Sequence, residues 1–130
     1  MVKPPVPTER QVQRSILAMM GRLFPRVFVT HIPNGAHLAG GDTSRFKQMG
    51  ALKGDGLKPG FPDLACYWNH GHALIEVKRP GCGSHVSDAQ RSVHATLAEC
   101  GYPVAVVTSA DEAMQFLIER GAPRVGRMAA

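Results

Sequence analysis

The apolar positions along the chain follow two periods, and the period changes where Pro, Gly and small polar residues stand. Val12, Ile16, Met19, Met20 and Leu23 recur at three- and four-residue steps, one stripe down an amphipathic helix. Thr8 and Gln11 have capping-box spacing at its start, Pro7 disfavours an earlier start, Gly21 weakens the last turn and Pro25 ends it. Val27 to Ile32 reads as a β-strand stopped by Pro33-Asn34-Gly35. Asp63 to Trp68 and His72 to Arg79 are β-rich runs joined through Asn69-His70-Gly71, which makes a hairpin. Ser87 and Gln90 repeat the capping-box spacing and open a helix through Val93, Leu97 and Ala98, stopped at Gly101. Val104 to Thr108 is another strand. Ser109 and Glu112 form a third box, before a helix carrying Met114, Phe116 and Leu117 and closed by Gly121.

The stretch from Ala36 to Gly60 is the least regular. Asp42, Thr43 and Ser44 are candidate caps for a helix carrying Phe46, Met49 and Leu52, and Lys53 to Gly60 is a glycine-bearing loop. A second such loop runs from Pro80 to His85. The order is helix, strand, helix, strand, strand, helix, strand, helix. The hairpin strands must be antiparallel, and the strand–helix–strand unit from 72 to 108 should be a right-handed parallel crossover. The expected fold class is α/β, a mixed sheet with helices on its faces.

A chain of 130 residues, 44% of them hydrophobic, suits one domain with a real core. The boundaries are a Pro-rich lead over 1–7, a domain over 8–121 and a loose basic tail over 122–130. Fifteen Lys and Arg against ten Asp and Glu leave a net charge of +5, which favours nucleic acid or another anionic surface as partner. The longest apolar runs, Ile16 to Met20 and Leu64 to Trp68, are too short to span a membrane. Met1 to Pro7 lacks the apolar stretch of a signal peptide. Cys66, Cys82 and Cys100 are odd in number and widely spaced, which points to reduced thiols and a cytoplasmic protein. None of the six histidines stands at paired helical spacing beside a second ligand cluster, so zinc is disfavoured.

The hairpin carries the sharpest chemical pattern. Glu76 and Lys78 are two apart on one strand and share a face, with Val77 on the other. With His70-Gly71 as a two-residue turn, Asp63 lies opposite Lys78 and the small Ala65 opposite Glu76, all four on that face. A register shift of one would send Asp63 to the other side. Two carboxylates and a lysine at a sheet edge are costly unless compensated, and a divalent cation removes the penalty. Such a site suits phosphodiester hydrolysis. The same residues also fit a surface Glu–Lys ladder with Asp63 as a strand-start residue.

Glu9 continues the buried stripe of the first helix and should face the sheet, although a first-turn carboxylate also complements a helix dipole. Gln90 is either the capping partner of Ser87 or a side chain reaching back over the strand end. Asn34 fits a DNA contact and a left-handed turn position equally well. Lys47, Lys53, Lys58, Arg79 and Arg91 surround the expected cleft as candidate phosphate contacts, each also explicable as solubilising charge. Phe28, Tyr67 and Trp68 read as core residues rather than base-stacking platforms.

Glu9, then Gly60-Phe61-Pro62-Asp63-Leu64, then Glu76-Val77-Lys78, then Ser87-x-x-Gln90, together resemble the VRR-NUC family, a branch of the PD-(D/E)xK nuclease superfamily. The similarity runs from about Thr8 to Gly121. It implies a restriction-endonuclease-like core and cleavage of DNA with Mg²⁺ or Mn²⁺. By motif match it implies that Asp63, Glu76 and the Val77 backbone carbonyl hold the metal, with Glu9 contributing directly or through water. Lys78 would be the catalytic lysine, and Gln90 would support the site. At this size the chain resembles the stand-alone phage-type members, which implies a homodimer acting on four-way junctions. The alternatives are a monomeric flap or single-strand nuclease with the same site, and a basic DNA-binding module that does not cut.

Overall fold

The computed structural model describes residues 3–33, 40–81 and 85–126. Four helices and four strands follow one another as α1 (Glu9–Leu23), β1 (Phe28–His31), α2 (Asp42–Gly54), β2 (Leu64–Trp68), β3 (Gly71–Val77), α3 (Asp88–Glu99), β4 (Val104–Val107) and α4 (Ala110–Glu119). This is the expected order. The sheet runs β1-β2-β3-β4, antiparallel for the first three strands, with β4 parallel to β3.

Alternation along the strands gives the sheet two unlike faces. Leu64, Cys66, Ala73, Ile75, Val77 and Val107 point one way into the core. There they meet Val12, Ile16, Met19 and Met20 of α1 and Ala113 and Leu117 of α4. The α1 stripe is therefore the one the three- and four-residue spacing predicts. Burial pushes the Cys66 thiol up to about 12, so it stays protonated and inert in this core. Cys66 and Cys100 are free thiols, and Cys82 lies outside the described residues. Ala122 also enters the core, and the Val125 N–H donates to the Leu23 carbonyl at 2.9 Å. The described part of the tail is thus pinned to the end of α1 rather than loose.

Three expectations need correction on the other face and in the caps. Phe28 and Tyr67 are not core residues: they are 71% and 50% exposed. They are cross-strand partners on the face away from α1 and α4. Trp68, one position on, does turn inward and packs against the core. The cap of α2 is Gly41, so Asp42 becomes a first-turn residue paired with Arg45 at 3.0 Å. No residue of α2 is fully buried, and Phe46 is 81% exposed. In α3, Val93 and Leu97 are half-buried and Ala98 is exposed, so its stripe is only a partial cover.

The boxes at α1 and α3 are both reciprocal, as their spacing predicts. At α4 only half the box forms. Ser109 Oγ accepts from the Glu112 N–H at 3.1 Å, but the Glu112 carboxylate turns to the Thr108 N–H and hydroxyl. Those two donors on one residue hold Glu112 below its ordinary carboxylate range.

The hairpin register also differs from the expected one. Trp68 pairs with Gly71, leaving Asn69-His70 as the turn, with His70 at φ 65°. Gly71 closes the turn because the Trp68 indole occupies the space a Cβ would need. Paired residue numbers therefore sum to 139 instead of 141. A two-residue displacement keeps every side chain on its face. Its consequence is local: Asp63, one step beyond the Leu64–Ile75 pair, comes across from Glu76 rather than Lys78.

Candidate active site

At the β2 start the ladder has run out, and the Asp63 side chain replaces it. Its Oδ2 accepts from the Val77 backbone N–H at 2.8 Å. On the other side, the Asp63 carbonyl accepts from the Ile32 N–H at 2.8 Å and lies 3.1 Å from His31 Nδ1. Asp63 is thereby held between β1 and β3. The segment that leads into it is fixed by Gly60, at φ 91°. A Cβ there would meet the Ala89 carbonyl carbon and oxygen at 2.5 and 2.6 Å and the Gln90 nitrogen at 2.7 Å. Only glycine lets this loop lie against the first turn of α3. Gly60→Ala is expected to lower stability by about 2–4 kcal/mol, combining a left-handed backbone with overlap against a helix. Denaturant titration measures it; an unchanged midpoint would show that the loop is not packed this closely.

Glu76 is 1% exposed, on the face of β3 opposite the apolar core. Burial first, then a hydrogen bond with the Asp63 carboxyl and its charge, push the Glu76 pKa up to about 9, with Lys78 opposing the shift. Without a cation, the two carboxyls are close enough that one keeps a proton.

Two residues of α3 reach Glu76. Gln90 Nε2 donates to Oε2 at 3.1 Å while Gln90 Oε1 accepts from the Ser87 N–H at 3.0 Å. The capping role and the reach over the strand are therefore simultaneous, served by opposite ends of one amide. His94 Nε2 lies 3.3 Å from Oε1. Sequence reading missed His94. Its signal was its place four residues after Gln90, on the same helical face. Burial, and then the Lys78 charge, lower the His94 pKa, which favours the neutral ring.

Lys78 is 7% exposed, and its Nζ lies 3.9 Å from Glu9 Oε1. Glu9, half-exposed in the first turn of α1, does face the sheet end. The structure therefore brings Glu9, Asp63, Glu76, Lys78 and Gln90 together. The Val77 carbonyl belongs to the same strand end, where the adjoining Lys78 N–H donates to the Val107 carbonyl at 2.9 Å. Lys47, Lys53, Lys58 and Arg79 are exposed. Arg91 is exposed too, but is already bound to Asp88 at 3.1 Å. Asn34 lies outside the described residues.

The donor set fits a hard divalent cation. Two adjacent carboxylates, one deeply buried and unable to ionise cheaply, with a carbonyl beside them, match the few protein oxygens Mg²⁺ takes while keeping its waters. No cluster of three or more His, Cys, Asp and Glu side chains able to hold a metal alone occurs among the described residues. A cation here would thus draw on backbone and water oxygens as well.

The VRR-NUC domain family matches residues 11–111, most of the chain. A solved structure described as a VRR_NUC domain protein superposes with a TM-score of 0.63 over 89% of each chain, at 24% sequence identity. No curated protein matches. The chain belongs to the VRR-NUC family, and its mixed four-stranded sheet with four helices is the fold of that neighbour. VRR-NUC domains are nuclease domains, so the protein is a nuclease-type enzyme whose substrate is DNA. No described helix is long and apolar enough to cross a membrane.

Proposed function

We propose that this protein is a Mg²⁺- or Mn²⁺-dependent DNA endonuclease, a homodimer that cuts branched DNA of the four-way-junction type. The observation that carries the metal-dependent reading is the juxtaposition of Asp63 with a buried Glu76 whose ionisation the protein alone opposes. Asp63, Glu76 and the Val77 carbonyl would hold the ion, with Glu9 reaching it directly or through water. When bound, the metal polarises the phosphate and acidifies a water. Lys78, whose Nζ lies 3.9 Å from Glu9 Oε1, would orient the attacking water or offset charge on the phosphate. Gln90 keeps the Glu76 carboxylate aimed. The net charge of +5 draws the phosphate backbone in, with Lys53, Lys58, Arg79 and Asn34 as proposed contacts and Arg91 engaged after leaving Asp88. A near two-fold-symmetric junction needs two incisions, and an isologous pair of identical chains supplies them.

The test is cleavage of a labelled four-way junction, a 5′ flap and a plain duplex, each with Mg²⁺, Mn²⁺ or EDTA, beside sedimentation of the protein at micromolar concentration. Metal-dependent paired nicks confined to the junction, from a dimer, are expected. Flap or indiscriminate cleavage by a monomer would overturn the junction assignment. Salt-sensitive DNA binding with no cutting under any metal would reduce the protein to a binding module.

A further inference from the structure

We infer that His94 is a positioning residue of this site, the second prong of a clasp with which α3 holds both oxygens of Glu76. The inference rests on the nuclease reading above. Gln90 and His94 stand four apart, so their side chains leave the same face of the helix one above the other. The amide reaches Oε2 at 3.1 Å and the imidazole Nε2 reaches Oε1 at 3.3 Å. Both contacts lie in a shielded space: the His94 side chain is 15% exposed and that of Glu76 1%. A carboxylate offers about four lone-pair positions. Two are taken by the clasp, and the rest face Asp63, on the side where a cation would stand.

A carboxylate gripped at one oxygen still swings about its last torsion, whereas one gripped at both has its plane fixed. Outer hydrogen bonds of this kind hold metal ligands in the orientation the ion needs, and losing one weakens metal affinity or activity by about 10–100-fold. With the proton on Nε2, His94 donates to Oε1 and serves as such a partner.

The experiment compares wild type, His94→Leu and His94→Gln in three measurements: Mn²⁺ binding by calorimetry without DNA, cleavage kinetics, and thermal melting. Leucine fills similar space but donates nothing. Glutamine carries an amide that extends to the same oxygen. His94→Leu is expected to weaken Mn²⁺ binding and lower kcat by about 10–100-fold, with KM for DNA nearly unchanged, and His94→Gln to recover to within roughly three-fold of wild type. Wild-type Mn²⁺ binding in a folded His94→Leu protein would overturn the inference. So would a His94→Gln protein as impaired as His94→Leu, because the role would then need the imidazole itself. If wild type cleaves and these variants match it, the clasp is wrong and the nuclease reading stands. A wild-type protein that neither binds Mn²⁺ nor cleaves would overturn both.

Discussion

Asp63→Asn, Glu76→Gln and Lys78→Ala are each expected to reduce DNA cleavage by about 10³-fold or more while leaving DNA affinity within a few-fold of wild type, because in the proposed mechanism each removes charge needed at the reacting phosphate rather than along the backbone track. The substitutions differ in what they leave behind. Asp63→Asn keeps an oxygen that can still accept from the Val77 N–H, so the strand end stays closed while a cation loses its charge partner. Glu76→Gln keeps size and polarity at a buried position. Lys78→Ala leaves Glu9 without its cation and empties a nearly buried position, so its melting temperature should fall as well. Gel shifts with Ca²⁺ in place of Mg²⁺, alongside cleavage rates, separate the two effects. Full turnover by Lys78→Ala would remove that residue from the chemistry.

The second large effect is on stability, and it has the opposite sign for one of the same variants. In metal-free protein the Glu76 pKa stands at about 9. In the unfolded chain it returns to the ordinary value near 4.3. Between those values the unfolded state has released a proton that the folded state retains, so stability from this group is fully present at acid pH and falls as pH rises toward 9. Glutamine does not titrate. Metal-free Glu76→Gln should therefore melt above wild type at pH 8, by up to about 5 kcal/mol, and the advantage should shrink steadily toward pH 4. Adding Mn²⁺ should reverse the ranking, since only wild type gains from the ion. Melting curves at pH 4, 6 and 8, with EDTA and with Mn²⁺, give the full comparison. A difference independent of pH would show that folding leaves the Glu76 pKa at its unfolded value.

What could be read from the sequence was what depends on neighbours in the chain. The α1 stripe, the capping boxes of α1 and α3, and the glycine stops after α3 and α4 are local, and the structure repeats them. The shared face of Glu76 and Lys78 was legible for the same reason, alternation along one strand, and Asp63 joins it because the turn has two residues. The register was not, because it turns on the Trp68 indole lying over Gly71, a contact between side chain and turn that no pattern encodes. The exposure of Phe28 and Tyr67 was hidden similarly. β-rich aromatics read as core until it is known that α1 and α4 cover only the opposite face. His94 was missed because a histidine on a helix announces nothing until the strand beneath it is known to carry a buried carboxylate.

The connection between β1 and β2 is closed at its base by the Ile32 N–H bonded to the Asp63 carbonyl, and α2 within it has no fully buried residue. Gly60 to Pro62, at the end of the connection, pack against α3 and lead into Asp63, but α2 itself adds nothing fully buried to the core. Lengthening such a segment is thermodynamically mild, about 0.6 kcal/mol per doubling. On the proposed nuclease reading, α2 is therefore a cassette whose length and charge can vary at little cost to the fold while Asp63, Glu76 and Lys78 keep their places.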